Sequence, residues 1–177
     1  MKKIVAFGAS SSSNSINKRL ATYAAQQVQN SNVVILDLNN FEMPIYSEDY
    51  ERLSGIPKEA YDFKEIIKET DGIIISFAEH NGAYTAAFKN IFDWISRIER
   101  VVWYNKPMFL MATSDGSKGA SSVLQIAYNR ISGGNPNHIP CFSLPNFSDN
   151  FAQQAGIKNK DLNKKFIDAL SIFTDSL

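Results

Sequence analysis

The stretch Ile73-Ile74-Ile75-Ser76-Phe77 decides how this chain is read. It is apolar at alternate and intervening positions alike, so a strand built from it needs cover on both faces. That is the signature of a central parallel strand lying between two layers of helices. Working outward, Phe63, Ile66 and Ile67 give a helical stripe that closes at Thr70-Asp71-Gly72. On the other side, Phe88, Ile91, Phe92, Ile95 and Ile98 repeat the i, i+3, i+4, i+7 spacing of a helix with one buried face.

The same alternation runs to both ends. Ile4 to Phe7 reads as a buried strand that ends in Gly8 and a Ser/Asn-rich loop, after which Ile16, Leu20, Ala24 and Val28 recur on one helical face. Val33 to Leu36 reads as a second buried strand, and roughly 39–57 as an irregular loop punctuated by Met43-Pro44 and Gly55-Ile56-Pro57. Pro107 opens a fourth strand, Met108 to Thr113. Leu124, Ala127, Tyr128 and Ile131 predict a helix that stops at Gly133-Gly134. A fifth strand is expected over Ile139 to Leu144, with Pro140 placing it at a sheet edge, and Phe166, Ile167, Leu170 and Phe173 mark a closing helix. Strand and helix in alternation call for a parallel sheet with right-handed crossovers. The expected fold is α/β: a flavodoxin-like three-layer sandwich whose five parallel strands are ordered 2-1-3-4-5, in a single domain over 1–177.

Composition narrows the function. Eighteen basic residues balance eighteen acidic ones, which argues against a nucleic-acid partner. One cysteine, Cys141, and two histidines, His80 and His138, leave neither a disulfide framework nor a multi-cysteine zinc site, and no HExxH pattern is present, so no metal is expected. No apolar run approaches the ~18 residues that cross a bilayer, and the four apolar residues after Lys2-Lys3 are too few for a secretion signal. The expectation is a cytoplasmic protein without a membrane partner. Ser with His suggests acyl transfer, but the Gly-x-Ser-x-Gly elbow is missing. Cys141, in a strand expected to be buried, reads as a small apolar residue, and His138 as a strand-edge residue.

In a sheet of this order, ligands sit beyond the carboxyl ends of the strands, at the switch between strands 1 and 3. Three loops emerge there. The first, Gly8 to Asn17, offers hydroxyls and a helix start with free N–H groups; it reads as a phosphate cradle or as a polar turn with Ser15 as helix cap. It is neither a Walker loop nor GxGxxG. The second, from Ala78, carries Glu79, His80 and the turn dipeptide Asn81-Gly82. In the third, Ser114 to Gly119, Gly116 and Gly119 permit close backbone approach, and Lys118 either reaches a phosphate or is a solvated lysine.

Glu79-His-Asn-Gly82, then Phe88-Lys89-Asn90, then Asp93-Trp94, resembles the segment of NAD(P)H-dependent FMN reductases that reads Pro-Glu-Tyr-Asn-Gly, Leu-Lys-Asn and Asp-Trp. Ser15, Asn17, Leu20 and Ala21 resemble the closing half of that family's first motif, Gly-Ser-x-Arg-x-x-Ser-x-Asn-x-x-Leu-Ala. Ala78 stands where the family has Pro, and His80 where it has Tyr. The first loop lacks the Arg and is one residue longer.

The resemblance implies a flavoprotein oxidoreductase that holds FMN non-covalently. Ser10, Ser15, Ile16 and Asn17 would hold the phosphate; Glu79, His80, Asn81 and Gly82 would line the flavin edge; Ser114, Asp115, Gly116 and Gly119 would close the other side. It also implies NADPH or NADH as co-substrate and a ping-pong cycle that reduces a quinone, azo or nitro compound, metal oxyanion or free flavin. The assembly would be a homodimer or homotetramer. No residue is expected to be catalytic, because the cofactor carries the chemistry. Lys89, Asn90, Asp93 and Trp94 read as packing and capping residues, and Trp103-Tyr104 as an oligomer contact or a core edge. Two alternatives stay open: a flavodoxin-type electron carrier, disfavoured by the zero net charge, and a flavin-free binding module on the same fold.

Overall fold

The computed structural model describes residues 1–177. Five parallel strands form the main sheet: β1 (Lys2–Ala9), β2 (Ser31–Ile35), β3 (Gly72–Phe77), β4 (Met108–Thr113) and β5 (Cys141–Leu144), in the order β2-β1-β3-β4-β5. Helices α1 (Ile16–Gln26) and α6 (Lys160–Asp175) cover one face. Helices α3 (Lys58–Lys68), α4 (Ala86–Ile98) and α5 (Ser121–Ser132) cover the other, and α2 (Glu48–Ser54) lies outside them. None of these helices is long and apolar enough to cross a membrane.

Strand alternation sorts the core in two. Val5, Phe7, Ile73, Ile75, Phe77, Met108 and Leu110 point to the α3–α5 side, while Ile4, Ala6, Ile74, Phe109 and Met111 point to the α1–α6 side. Ala9 pairs with Phe77, and Phe77 with Ala112, so the carboxyl ends of β1, β3 and β4 are level and their loops leave the sheet together.

Several elements depart from the sequence expectation. The second strand is half-buried rather than buried, because β2 is the outer strand and has a neighbour on one side only. The expected loop after it holds a 3-10 turn, Leu38–Phe41, and α2. Helix α2 has no buried residue and therefore no apolar period. Its polar signals do the work: Ser47 caps Tyr50 N–H, three carboxylates sit in the first turn, and Gly55 ends it at φ 76°. The fifth strand starts at Cys141, since Pro140 has no N–H to pair, although its carbonyl still accepts from Leu110 N at 3.1 Å. Cys141 is exposed on this edge, not buried, while apolar surroundings of the thiol push its pKa up to about 11. Val28 lies beyond the end of α1, and Ile167 points to solvent. Trp103 is 6% exposed and stacks on Phe92, so it belongs to the core edge.

Lys64 is the one charged side chain buried in this core, 3% exposed. Its Nζ donates to Val102 O at 2.7 Å, lies 3.8 Å from the Tyr104 ring centroid and stands 3.9 Å from the Glu99 carboxylate. Burial pushes the amine down from 10.5 to about 8, against the pull of Glu99. The folded chain therefore holds fewer protons than the unfolded chain between these values, and stability rises with pH across that window. Below pH 8 the cost of burying the charge is fully present. Urea unfolding is expected to show a gain on the order of 1 to 2 kcal/mol between pH 7.5 and 9.5, which Lys64→Met abolishes. An equal slope in Lys64→Met would assign it to other groups.

Candidate functional site

The first loop is built by close approach. Gly8 lies against the start of α1 so tightly that a Cβ would stand 2.3 Å from Lys18 N and 2.7 Å from Lys18 Cα. Ser15 caps the helix, its Oγ accepting from Lys18 N at 3.1 Å. Ser10 Oγ accepts from Ser12 N at 3.1 Å, and Ser10 N–H donates to Gly8 O at 2.8 Å. What remains is a row of backbone N–H groups with no acceptor in the protein: Ser11, Ser13, Asn14, Ile16 and Asn17. Together with the positive end of the α1 dipole they make an anion cradle of neutral donors. No free cation enters it. Lys18 is paired with Asp37 at 2.6 Å, an interaction that holds Asp37 below the usual carboxylate range, and Arg19 turns away to stack over Phe147.

The Asn17 side chain does not face this cradle. It is 2% exposed and points under the sheet's end: Nδ2 donates to Thr113 O at 3.1 Å, while Oδ1 accepts from Thr113 N at 3.1 Å and from Ser76 Oγ at 2.7 Å. It thus ties α1 to β3 and β4, and it explains the one polar residue in the apolar third strand. Only its backbone N–H is left for a ligand. Ser15 likewise has its oxygen spent on the cap, as the polar-turn reading expects.

The second loop is a two-residue hairpin in which Glu79–His80 pairs with Ala83–Tyr84. Asn81 and Gly82 have φ of 52° and 76°, the pair of positive angles that a type I′ turn demands, and Asn-Gly is the dipeptide that adopts them most readily. Their N–H groups donate to nothing in the protein, and His80, Asn81 and Gly82 are exposed. Glu79 is spent on structure: its carboxylate accepts from Val123 N at 2.9 Å in the first turn of α5, whose N-cap, Ala120, has no capping side chain. Thr85 caps α4 and donates to Ala9 O at 2.9 Å, joining the second loop to the first.

In the third loop Asp115 accepts from Ser148 N and Oγ at 2.9 and 2.7 Å, which lowers its pKa and takes it out of the site. Gly119, at φ 56°, is required by packing against the end of β5: a Cβ would meet Ser143 Oγ at 2.5 Å and Pro145 N at 2.7 Å. Ser114 and Gly116 stay at the open edge, Ser114 Oγ accepting from Gly116 N at 3.3 Å. Lys118 is exposed and unpaired.

Of the twelve residues read from the sequence, Ser10, Ile16, Asn17 through its backbone, His80, Asn81, Gly82, Ser114 and Gly116 present groups to the opening. Ser15, Glu79, Asp115 and Gly119 position the loops behind it. Missed were Ser11, Ser13 and Asn14, whose N–H groups are free; their signal, the same hydroxyl run, does not tell which amides lack partners. Thr85 was missed too, although a Thr just before an apolar helical stripe is a cap signal. A cavity of about 330 Å³ beside the first loop, lined by Ser11, Leu38, Phe41, Met43, Ala87 and Ile91, belongs to the segment expected as loop. The residues set aside as structural are so. Asn90 holds Met43 O, Pro44 O and Tyr46 N, Trp94 Nε1 donates to Pro44 O at 2.7 Å, and Lys89 pairs with Asp93 at 2.7 Å.

The family model for NADPH-dependent FMN reductase matches residues 2–141. Among curated proteins, the chain is 34% identical over 110 residues to 2-hydroxy-1,4-benzoquinone reductase of Burkholderia sp, covering 61% of this chain and 58% of that one. It is 29% identical over 123 residues to NADPH azoreductase of Bacillus sp. (strain OY1-2), covering 68% and 64%. In both cases the match spans less than two thirds of the relative's own length. Among solved structures, FerB, a flavoenzyme NAD(P)H:(acceptor) oxidoreductase from Paracoccus denitrificans, superposes with a TM-score of 0.77 at 20% identity over 99% of this chain and 97% of that one, a likeness of fold. With the family model matched from β1 through β4 to the first residue of β5, this chain belongs to the NADPH-dependent FMN reductase family.

Proposed function

We propose that the chain binds FMN non-covalently across the three loops and passes electrons from NADPH or NADH to a small-molecule acceptor. The observation that carries this reading is the row of free N–H groups at the start of α1, reached only because Gly8 has no Cβ. A phosphate monoester fits it. The amides of Ser11, Ser13, Asn14, Ile16 and Asn17 supply donors that the missing arginine would otherwise supplement, and a dianion at a helix start needs no paired cation. The Asn81 and Gly82 amides, fixed outward by the hairpin, suit the polar edge of a flat ring, and Ser114 and Gly116 leave room on its other side.

Bound there, FMN would supply the two-electron redox chemistry that links a nicotinamide to a second substrate, in a ping-pong cycle. The chain's own residues bind and orient. Fixed amides near the ring edge stabilise negative charge without reorganising, which is the usual source of protein assistance in such a site. No side chain is assigned acid or base work: Glu79 and Asp115, the carboxylates of the second and third loops, are committed to backbone and hydroxyl partners. The reading carries with it a cytoplasmic homodimer or homotetramer and an acceptor of the quinone, azo, nitro, metal-oxyanion or free-flavin classes.

The test is anaerobic. Purified protein is saturated with FMN, and the flavin absorption band is followed after adding NADPH or NADH. Rapid bleaching, with colour restored by benzoquinone, is the expected result. Bound flavin that stays oxidised would instead mark an electron carrier, and failure to bind FMN would leave a flavin-free module on this fold.

A further inference from the structure

Only two buried side-chain polar atoms in this protein lack a hydrogen-bond partner, Trp103 Nε1 and Tyr84 Oη. Buried donors are almost always satisfied, so each orphan asks what is missing beside it. Both belong to residues that line cavities meeting at Phe92 and Arg130. Trp103 lines one of about 170 Å³, with Arg100, Asn105 and Asn135 on its wall; Tyr84 lines the other, of about 270 Å³. The smaller cavity lies at the carboxyl ends of α4 and α5, at the opposite end of the sheet from the three loops.

Its charge is one-sided. Neither Arg100 nor Arg130 makes an ion pair or a side-chain hydrogen bond. The Arg130 guanidinium lies over the Phe92 ring, 5.6 Å from its centroid, a cation–π contact that leaves its N–H groups without an acceptor in the protein. The neighbouring carboxylates are engaged elsewhere, Asp93 with Lys89 and Glu99 with Lys64 and Tyr104. The carboxyl end of α5 opposes an anion with roughly half a charge, which two guanidinium groups outweigh. Trp103 Nε1 is closed to solvent and both arginine side chains are exposed, so engaging the indole N–H requires the cavity wall to rearrange around the ligand.

We propose that this cavity binds a phosphate group, free or as a phosphomonoester, held by Arg100 and Arg130 with the Trp103 indole N–H as a third donor. The volume admits one such group, and forked guanidinium donors match its oxygens. The site is separate from the α1 cradle and does not depend on the flavin reading.

Inorganic phosphate and 2′-AMP are titrated calorimetrically into the full chain at constant ionic strength, with and without saturating FMN, so that phosphate taken by the first loop is told apart. Saturable binding that persists with FMN is expected, with affinity falling about tenfold or more in Arg100→Gln/Arg130→Gln. Binding by both ligands points to the phosphate alone, and binding by 2′-AMP only to a phosphomonoester of a larger molecule. Indole emission in Trp94→Phe, where Trp103 is the one tryptophan, should change on titration. If Arg130→Gln fails to fold, Arg100→Gln by itself must weaken binding. Absence of saturable binding by either ligand, or unchanged affinity in the arginine variants, would overturn the site.

Discussion

Gly8→Ala is expected to destabilise the chain by on the order of 3 kcal/mol and to abolish FMN retention in whatever protein still folds. The reason is backbone against backbone. The added methyl would lie 2.3 Å from Lys18 N, 2.7 Å from Lys18 Cα and 2.8 Å from Asn17 C, and none of these atoms can rotate away as a side-chain tip does. Either the end of β1 or the start of α1 has to move. Movement of α1 misplaces the Ile16 and Asn17 amides and loosens the Ser15 cap, so stability and ligand binding fail together. Urea unfolding and a fluorescence titration with FMN would measure both. Gly82→Ala is the contrasting case: no atom lies within 4 Å of its Cβ, and only the strain of φ 76° is felt, on the order of 1 kcal/mol. Equal losses for the two variants would contradict the close-approach argument.

Asn17→Leu is expected to cost a similar amount, on the order of 3 to 4 kcal/mol, for a different reason. It removes one side chain and strands three groups: the Thr113 N–H, the Thr113 carbonyl and the Ser76 hydroxyl, all buried at the end of the central strands. Asn17→Asp is no remedy. It keeps the two accepted bonds but sets a carboxylate against the Thr113 carbonyl in a dry site, where an unpaired charge is costly. Because the side chain points inward, folded Asn17→Leu protein should bind FMN close to normally once stability is restored by low temperature or osmolyte. A variant of native stability that had lost FMN affinity would show instead that the side chain faces the phosphate. Adding Ser76→Ala to Asn17→Leu should recover about 1 kcal/mol by removing one of the orphans.

The same residue shows how far a motif can be read. Asn17 stands out in the sequence because it completes a pattern shared with a family, and the pattern says only that the position matters. Whether it matters through its amide N–H, which is free, or through its carboxamide, which is buried, depends on where β3 and β4 end relative to α1. Glu79, Asp115 and Gly119 belong with it. Each lies in a loop that leaves the carboxyl end of the sheet, yet each faces a neighbouring element 24 to 44 residues away: Glu79 the start of α5, Asp115 the one-turn helix at Phe147–Asn150, and Gly119 the end of β5.

What the sequence by itself determined is what local sterics and periodicity control. The apolar runs at Ile4–Phe7, Ile73–Phe77 and Met108–Thr113 became central strands because burial on both faces admits no other place for them. Asn81-Gly82 became a tight hairpin because that dipeptide tolerates two successive positive φ angles. Tertiary structure alone decided which polar groups are satisfied and which are left over. The amides of Ser11, Ser13 and Asn14 are free, while the side chains of Ser15 and Asn17 are spent, although all five residues lie within one stretch of seven. A hydrogen bond is settled by which donor and acceptor meet across the fold, and residues 59 and 96 positions apart meet at Asn17 only after the sheet has closed over α1.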